Sequence, residues 1–367
     1  MTDLYIGVMS GTSHDGIDAA IVDFHSDLPK LVATAFQPYP DNLRSALLQL
    51  NEFDQTPPLG PVLQAGRQFS SAVTKLLQSL LLKAELDSDA ITAIGCHGHT
   101  VSHHPDGDTG YSFQLGDGAA LAVNIDIPVI CDFRSADIAL GGTGAPLAPA
   151  FHQYAFSSTE ENRVIANIGG IANLTILPND GHPCTGFDTG PGNLLMDFWM
   201  ERQFGERYDN RGDTARRGNV INPLLAKLMA HPFFAATPPK STGREMFNGP
   251  WLLQQAISDA KPDDVMATLA EVTARSIALS VKQLDVKPGG LYVCGGGHHN
   301  NHLMQRIESL IAPWTLGTTD DLGLHPDWVE AAAFAWLARQ RWLRQPGNLP
   351  EVTGAVRKTT LGAIHLP

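Results

Sequence analysis

The chain has 367 residues, 43% of them hydrophobic and 17% charged, a balance that argues against disorder and gives room for about two domains of roughly 150 residues. Its net charge of −13 weighs against unspecific binding to nucleic acid, so an anionic ligand has to be met by local donors. No run of about 18 apolar residues suits a membrane span, and the first residues do not form a basic segment followed by an apolar core, so the expectation is a cytoplasmic protein without signal peptide or membrane partner.

In chain order, apolar alternation predicts strands at Leu4 to Met9, Ile17 to Phe24 and Leu31 to Ala35, the first two joined by a glycine-rich turn. Apolar residues Val62, Leu63, Phe69, Val73, Leu76, Leu77 and Leu80 predict a helix from about Gly60 to Lys83. A strand at Ile91 to Cys96 runs into a polar glycine-histidine stretch, and another strand follows at Pro128 to Asp132. Glycines at 141, 142 and 144, with Pro146, punctuate the chain and suggest a division into domains 1–140 and 141–367. The second half repeats the order of the first: strand, tight glycine turn and strand over Val164 to Ile176, then helical segments. A strand at Leu291 to Cys294 leads to Gly295-Gly296-Gly297 and a helix from Asn301, and the helix Val329 to Arg341 closes the pattern, with the option of packing back on the first domain. Residues 206–250, rich in Arg, Gly, Asn and Pro, read as an insertion or active-site loop. Cys96, Cys131, Cys184 and Cys294 are scattered in or beside apolar runs and read as core thiols of a reducing compartment.

The first turn contains hydroxyls and carboxylates but no lysine. Backbone amides of such a turn bind phosphate oxygens, glycine lets the backbone come close, and Thr12 and Ser13 add donors. A carboxylate at Asp15 or Asp18 repels phosphate unless Mg²⁺ lies between them. A plain hairpin turn with solvated Asp and Ser is the competing reading. A second glycine turn at Gly169-Gly170, and a third glycine cluster at a strand end, where α/β sheets collect ligands, favour a nucleotide. Asp188, set in Gly186-Phe187-Asp188-Thr189-Gly190, is placed as a general base; capping the helix from Leu194 is its alternative. His97, His99, His103 and His104 lack the flanking carboxylate or cysteine pattern of a catalytic zinc site. There is neither a G-x-S-x-G elbow nor a G-x-G-x-x-G turn opening a helix after the first strand.

Six motifs in order, GxMSGTSxDGxD, HGxTVxHxP (97–105), DFRxxDxAxGGxGAPLxP (132–149), NIGGIAN (167–173), GFDTGPGN (186–193) and PKSTGREMFN (239–248), span nearly the whole chain. Together they resemble the 1,6-anhydro-N-acetylmuramic acid kinase family. The resemblance implies an α/β fold of two ribonuclease-H-like (actin-like ATPase) domains flanking an interdomain ATP cleft, within the actin/Hsp70/sugar-kinase superfamily. It also implies a homodimer and a role in peptidoglycan recycling, with ATP and Mg²⁺ as cofactors and an amino sugar as substrate. One departure is His99, where the family usually has Gln.

On this basis Gly11, Thr12, Ser13, His14, Asp15, Gly16, Ile17 and Asp18 are expected at the phosphates, with Asp18 as the metal ligand. Gly169 and Gly170 are expected beside them, and Gly295, Gly296 and Gly297 at the adenosine. Asp188 is the expected base. Arg134 suits the lactyl carboxylate through its planar guanidinium, with a salt bridge to Asp132 or Asp137 as the alternative. His97, Thr100 and Glu330 are further substrate candidates, and Lys240 and Arg244 are carried on the loop 206–250. A nonenzymatic ATP switch and a kinase for an ordinary sugar hydroxyl are the competing functions.

Overall fold

The computed structural model describes residues 3–11, 16–26, 28–51, 57–255, 257 and 259–367. By its contacts the chain divides into two compact units, Met1–Ala155 with Trp328–Pro367, and Phe156–Asp327. The glycine-rich stretch 141–146 therefore lies inside the first unit rather than at a joint.

In the first unit the strands are β1 (Leu4–Met9), β2 (Gly16–Asp23), β3 (Lys30–Pro38), β4 (Ala93–Cys96), the small hairpin β5 (His99–His104) and β6 (Tyr111–Leu115), and β7 (Val129–Cys131). The main sheet runs β3-β2-β1-β4-β7, with the C-terminal strand Ala363–His365 added beyond β7. β1, β2 and β3 are antiparallel neighbours, whereas β4 is parallel to β1 and β7 to β4. Ile6, Val8, Ile17, Ala19 and Ile21 pack one face against the helix Leu59–Ala84, which turns Phe69, Val73, Leu77 and Leu80 inward at helical spacing. The other face is covered by the helix Val329–Trp342, whose residues 331–338 are all buried. This approach is backbone to backbone: a Cβ at Gly7 would collide with the Ala331 carbonyl oxygen, and one at Gly95 with that of Phe334. Only glycine fits at these two strand positions.

The second unit has β8 (Arg163–Ile168), β9 (Ile171–Leu177), β10 (Thr185–Pro191), β11 (Gly290–Cys294) and β12 (Thr315–Thr318), in the order β10-β9-β8-β11-β12. Directions repeat those of the first unit, antiparallel across β8, β9 and β10 and parallel across β8, β11 and β12. The expected repeat is thus one of topology, and each unit has the ribonuclease-H-like arrangement. The helix Pro262–Lys282 is buried along most of its length in this core.

Residues 206–250 are not a bare loop. They form helices Asp213–Arg217, Asn222–Met229 and Pro232–Ala235, and Ala215, Leu224, Leu228, Phe233, Phe234 and Phe247 join the core of the second unit. Their Arg, Gly and Pro content misled because short helices, one ended by Gly218 and the next two opened by Pro223 and Pro232, have no long apolar period.

Candidate functional site

In the first unit, β1 ends at Met9, paired with Asp18, and β2 extends past it to pair Gly16 with Pro38. The chain between them is the predicted phosphate turn. Of its residues, Thr12, Ser13, His14 and Asp15 lie outside the described residues. Gly11 and Asp18 are partly buried, while the Ile17 side chain belongs to the core, which leaves its main chain alone for a ligand. Beneath the start of the turn, the Ser10 hydroxyl meets the Tyr39 hydroxyl and lies 2.9 Å from His99 Nδ1, which is 3.3 Å from the Tyr39 oxygen. The unusual His99 is therefore a buried support of the turn's first residue.

His97 follows β4, its N–H bonded to the Val8 carbonyl at 3.0 Å. Its Nε2 accepts a hydrogen bond from Arg134 Nη2 at 2.8 Å. Burial, then the Arg134 charge, push the imidazole well below its usual range, so it is neutral and suited to that acceptor role. Arg134 also donates from Nη1 to the Gly144 carbonyl at 2.7 Å. Burial lowers the guanidinium to about 10, opposed by the negative charge of Glu330, and it stays a cation at neutral pH. Neither suggested salt bridge forms. Asp132 accepts from the Ser135 hydroxyl at 2.6 Å, and Asp137 accepts from the Gly144 N–H, Asn348 and Thr353 at 2.7–2.8 Å.

A pocket of about 250 Å³ opens beside His97, lined also by Gly98, Ser112, Gln114, Asp132 and Ser135. Thr100 lies on β5 opposite Gln114, whose Nε2 is 3.4 Å from its hydroxyl. Four predicted substrate residues are thus reduced to one tight group, His97 with Arg134 and the Glu330 charge, and one hairpin position, Thr100. Gln114 and Ser112 were missed because β6 turns its apolar Tyr111 and Phe113 outward and half-buries its polar positions, the reverse of a strand on a core.

In the second unit, Asp188 lies on β10 opposite Asn173, with a bulge between it and Gly190. It does not cap the helix Leu194–Phe204, whose N-cap is Asn193. The Asp188 N–H donates to the Lys240 carbonyl at 3.1 Å, and its Oδ2 accepts from the Thr242 N–H at 2.9 Å. Burial raises the carboxyl to about 6, Glu245 adds to the rise, and the Thr242 bond works against it. A carboxylate with that affinity for a proton is matched to taking one from water near neutral pH. The stretch 240–242 thus meets Asp188 through backbone, whereas the Lys240 ammonium turns to the Phe233 carbonyl, 3.2 Å away, and its ring. Arg244 offers its carbonyl to Asn248 Nδ2 at 3.1 Å.

Asn173 is three residues beyond Gly170, which places Asp188 about 10 Å along the strands from the second glycine turn. The carbonyls of Gly169 and Gly170 accept from the amides of Gly192, Asn193 and Leu194 at 2.8–3.1 Å. A Cβ at Gly170 would meet nothing within 4 Å, and one at Gly169 only the Ile171 carbonyl oxygen at 3.6 Å. Packing does not require glycine at either position. The third cluster divides: a Cβ at Gly295 or Gly297 would strike Asn167 or Ile168, whereas Gly296 faces open space.

Comparison with known proteins matches residues 3–367 to the family model described as anhydro-N-acetylmuramic acid kinase. An anhydro-N-acetylmuramic acid kinase of Nitrosomonas europaea is 48% identical over 361 residues, covering 98% of this chain and 99% of its own. One of Coxiella burnetii is 46% identical over 366 residues, covering 98% and 97%. Among solved structures, the (R)-2-hydroxyglutaryl-CoA dehydratase component A of Acidaminococcus fermentans aligns over 90% of this chain and 96% of its own, with 11% identity and a TM-score of 0.49. With a family match over nearly its full length and relatives close to half identical, the chain belongs to the anhydro-N-acetylmuramic acid kinase family.

Proposed function

We propose that this chain uses ATP to open the 1,6-anhydro ring of anhydro-N-acetylmuramic acid and phosphorylate O6, giving N-acetylmuramic acid 6-phosphate and ADP. The observation that carries the chemistry is the partly buried Asp188 carboxyl, raised to about 6 and held by the Thr242 N–H. In the substrate O6 is tied to C1, so there is no free O6 hydroxyl to phosphorylate. Asp188 takes a proton from water as the water oxygen bonds to C1. The C1–O6 bond breaks, O6 bonds to the γ-phosphorus, and ADP leaves. Atoms balance with one water consumed.

Arg134 anchors the lactyl carboxylate, a role its charge and planar donors support. Because His97 Nε2 and the Gly144 carbonyl already fix the guanidinium, little order is lost when the sugar binds. Thr100 and Glu330 orient sugar hydroxyls. Gly169, Gly170 and the first turn, Gly11 to Asp18, receive phosphates, and Gly295–Gly297 receive adenosine; open space at Gly170 and Gly296 supports close approach of a ligand. Asp18, a partly buried carboxylate on β2 beside the first turn, has the hard oxygen donor that suits Mg²⁺. When bound there, Mg²⁺ offsets charge on the β- and γ-phosphates.

The protein acts as a cytoplasmic homodimer in peptidoglycan recycling. Four cysteines carrying thiols are compatible with that compartment, and among the described residues no helix is long and apolar enough to cross a membrane. Mass spectrometry of products from ATP, Mg²⁺ and the anhydro sugar in heavy-oxygen water tests the reaction. One heavy oxygen at C1, with phosphate on O6, is expected. Product without solvent oxygen, or ADP release indifferent to the sugar, overturns it.

A further inference from the structure

Beside the glycines proposed for adenosine, histidines gather at one place in the second unit. After β11 the chain makes a single 3₁₀ turn, Gly296–His299, which sets the rings of His298 and His299 side by side with centroids 3.8 Å apart. The Gly295 N–H donates to the Pro326 carbonyl at 3.1 Å and pins residues 325–327 against this turn. Two more polar side chains, His325 and Asp327, arrive that way. His299 Nε2 lies 3.0 and 3.1 Å from the two Asp327 oxygens. His298 Nδ1 is 3.5 Å from Asp327 Oδ1, and His325 Nδ1 is 3.9 Å from Oδ2.

A surface ion pair would need one histidine for this carboxylate, whereas three approach it. One ligating atom from each of His298, His299 and Asp327 lies within 4.8 Å of the others. A tetrahedral zinc site with bonds of about 2.0–2.1 Å places neighbouring ligand atoms about 3.3 Å apart. The separations of 3.0 and 3.5 Å from Asp327 Oδ1 to His299 Nε2 and His298 Nδ1 straddle that value.

We propose that His298, His299 and Asp327 bind a divalent transition metal of the zinc class, with solvent completing the shell. Imidazole donors suit zinc, cobalt or nickel and do not suit Mg²⁺, so the site is chemically distinct from the one proposed for the nucleotide's ion. The His298 Nδ1 proton is now given to the Gly295 carbonyl at 2.9 Å. Ligation through that nitrogen replaces the bond and shifts the ring proton to Nε2, which couples metal occupancy to the turn at Gly295.

The test uses the full chain, stripped with chelator, without nucleotide or sugar, so its outcome is independent of the kinase reading. Zn²⁺ is titrated against a chromophoric chelator, and Co²⁺ is followed by visible absorption. One equivalent per chain with micromolar or tighter affinity is expected, and Co²⁺ should give tetrahedral d–d bands without a near-ultraviolet thiolate band. His299→Ala combined with Asp327→Asn should weaken binding at least about tenfold. His182→Ala, at an exposed histidine beside Asp180, should leave it unchanged. Millimolar binding, a thiolate band, or equal affinity in the double variant and the parent overturns the proposal. The Co²⁺ spectrum of the unaltered chain decides the case even if that variant fails to fold.

Discussion

Replacing Asp188 with Asn separates the two consequences of burying this carboxyl. Raised from 3.8 to about 6, it carries roughly two pK units, each worth about 1.4 kcal/mol, so close to 3 kcal/mol opposes its ionisation. Because the group is only partly buried, about 2 kcal/mol is the working value. The folded pKa is raised, so the folded state is favoured by the bound proton at low pH, and that advantage disappears as pH climbs from 3.8 through 6. Asn has no such loss. The variant should therefore melt together with the parent near pH 4 and above it at pH 8, by roughly 4–8 °C for a unit the size of residues 156–327. Activity should move the other way, falling at least about 10²–10⁴-fold in sugar-dependent ADP release while ATP still binds. In the parent, kcat/KM should decline below about pH 6 as the base is protonated. Calorimetry at the two pH values and a coupled ADP assay measure both effects. Turnover near that of the parent, or the same melting difference at both pH values, would refute the argument.

Arg134→Ala should raise the KM for the sugar by about 10–100-fold, the worth of a charge-assisted pair, with the KM for ATP unchanged; equal loss for both substrates in steady-state kinetics would count against a carboxylate anchor. Gly296→Ala should leave melting within about 0.5 kcal/mol of the parent yet weaken ATP binding measured by calorimetry, because its Cβ points into open space. Gly297→Ala, pressed against Ile168, should instead cost about 1–3 kcal/mol in denaturant unfolding. Asp137→Ala strands donors from Gly144, Asn348 and Thr353 in a fully buried place, and a loss of about 3 kcal/mol in the same assay is expected.

Strand positions were legible where one period dominated. Leu4–Met9 matches its predicted bounds, and Gly60 to Lys83 falls within Leu59–Ala84, because both segments keep a clean apolar pattern. Glycine turns joining two apolar strands also announced the repeated hairpins. The pair β5 and β6 went unread, since β5 is polar apart from Val101 and the five residues of β6, though alternating, expose Tyr111 and Phe113 and half-bury Ser112 and Gln114. Asp188 could be singled out by its glycine neighbours, but the Thr242 N–H that holds it comes from 54 residues away, and no local pattern reports such a meeting. The helix Val329–Trp342 signalled burial and the option of packing on the first domain, where it lies, but not its close approach to β1 and β4. Nothing local to Gly7 and Gly95 reports the Ala331 and Phe334 carbonyls that lie against them.

That close fit has a consequence for biosynthesis. The strands of the first sheet through β7 leave the ribosome about 200 residues before the helix that seals their second face, an interval of roughly 10–40 s at 5–20 residues per second. The second unit is continuous in sequence and has all its parts in hand sooner. Nascent chains therefore complete their middle before their beginning, and during that wait the uncovered strands are the segment a chaperone has most reason to guard.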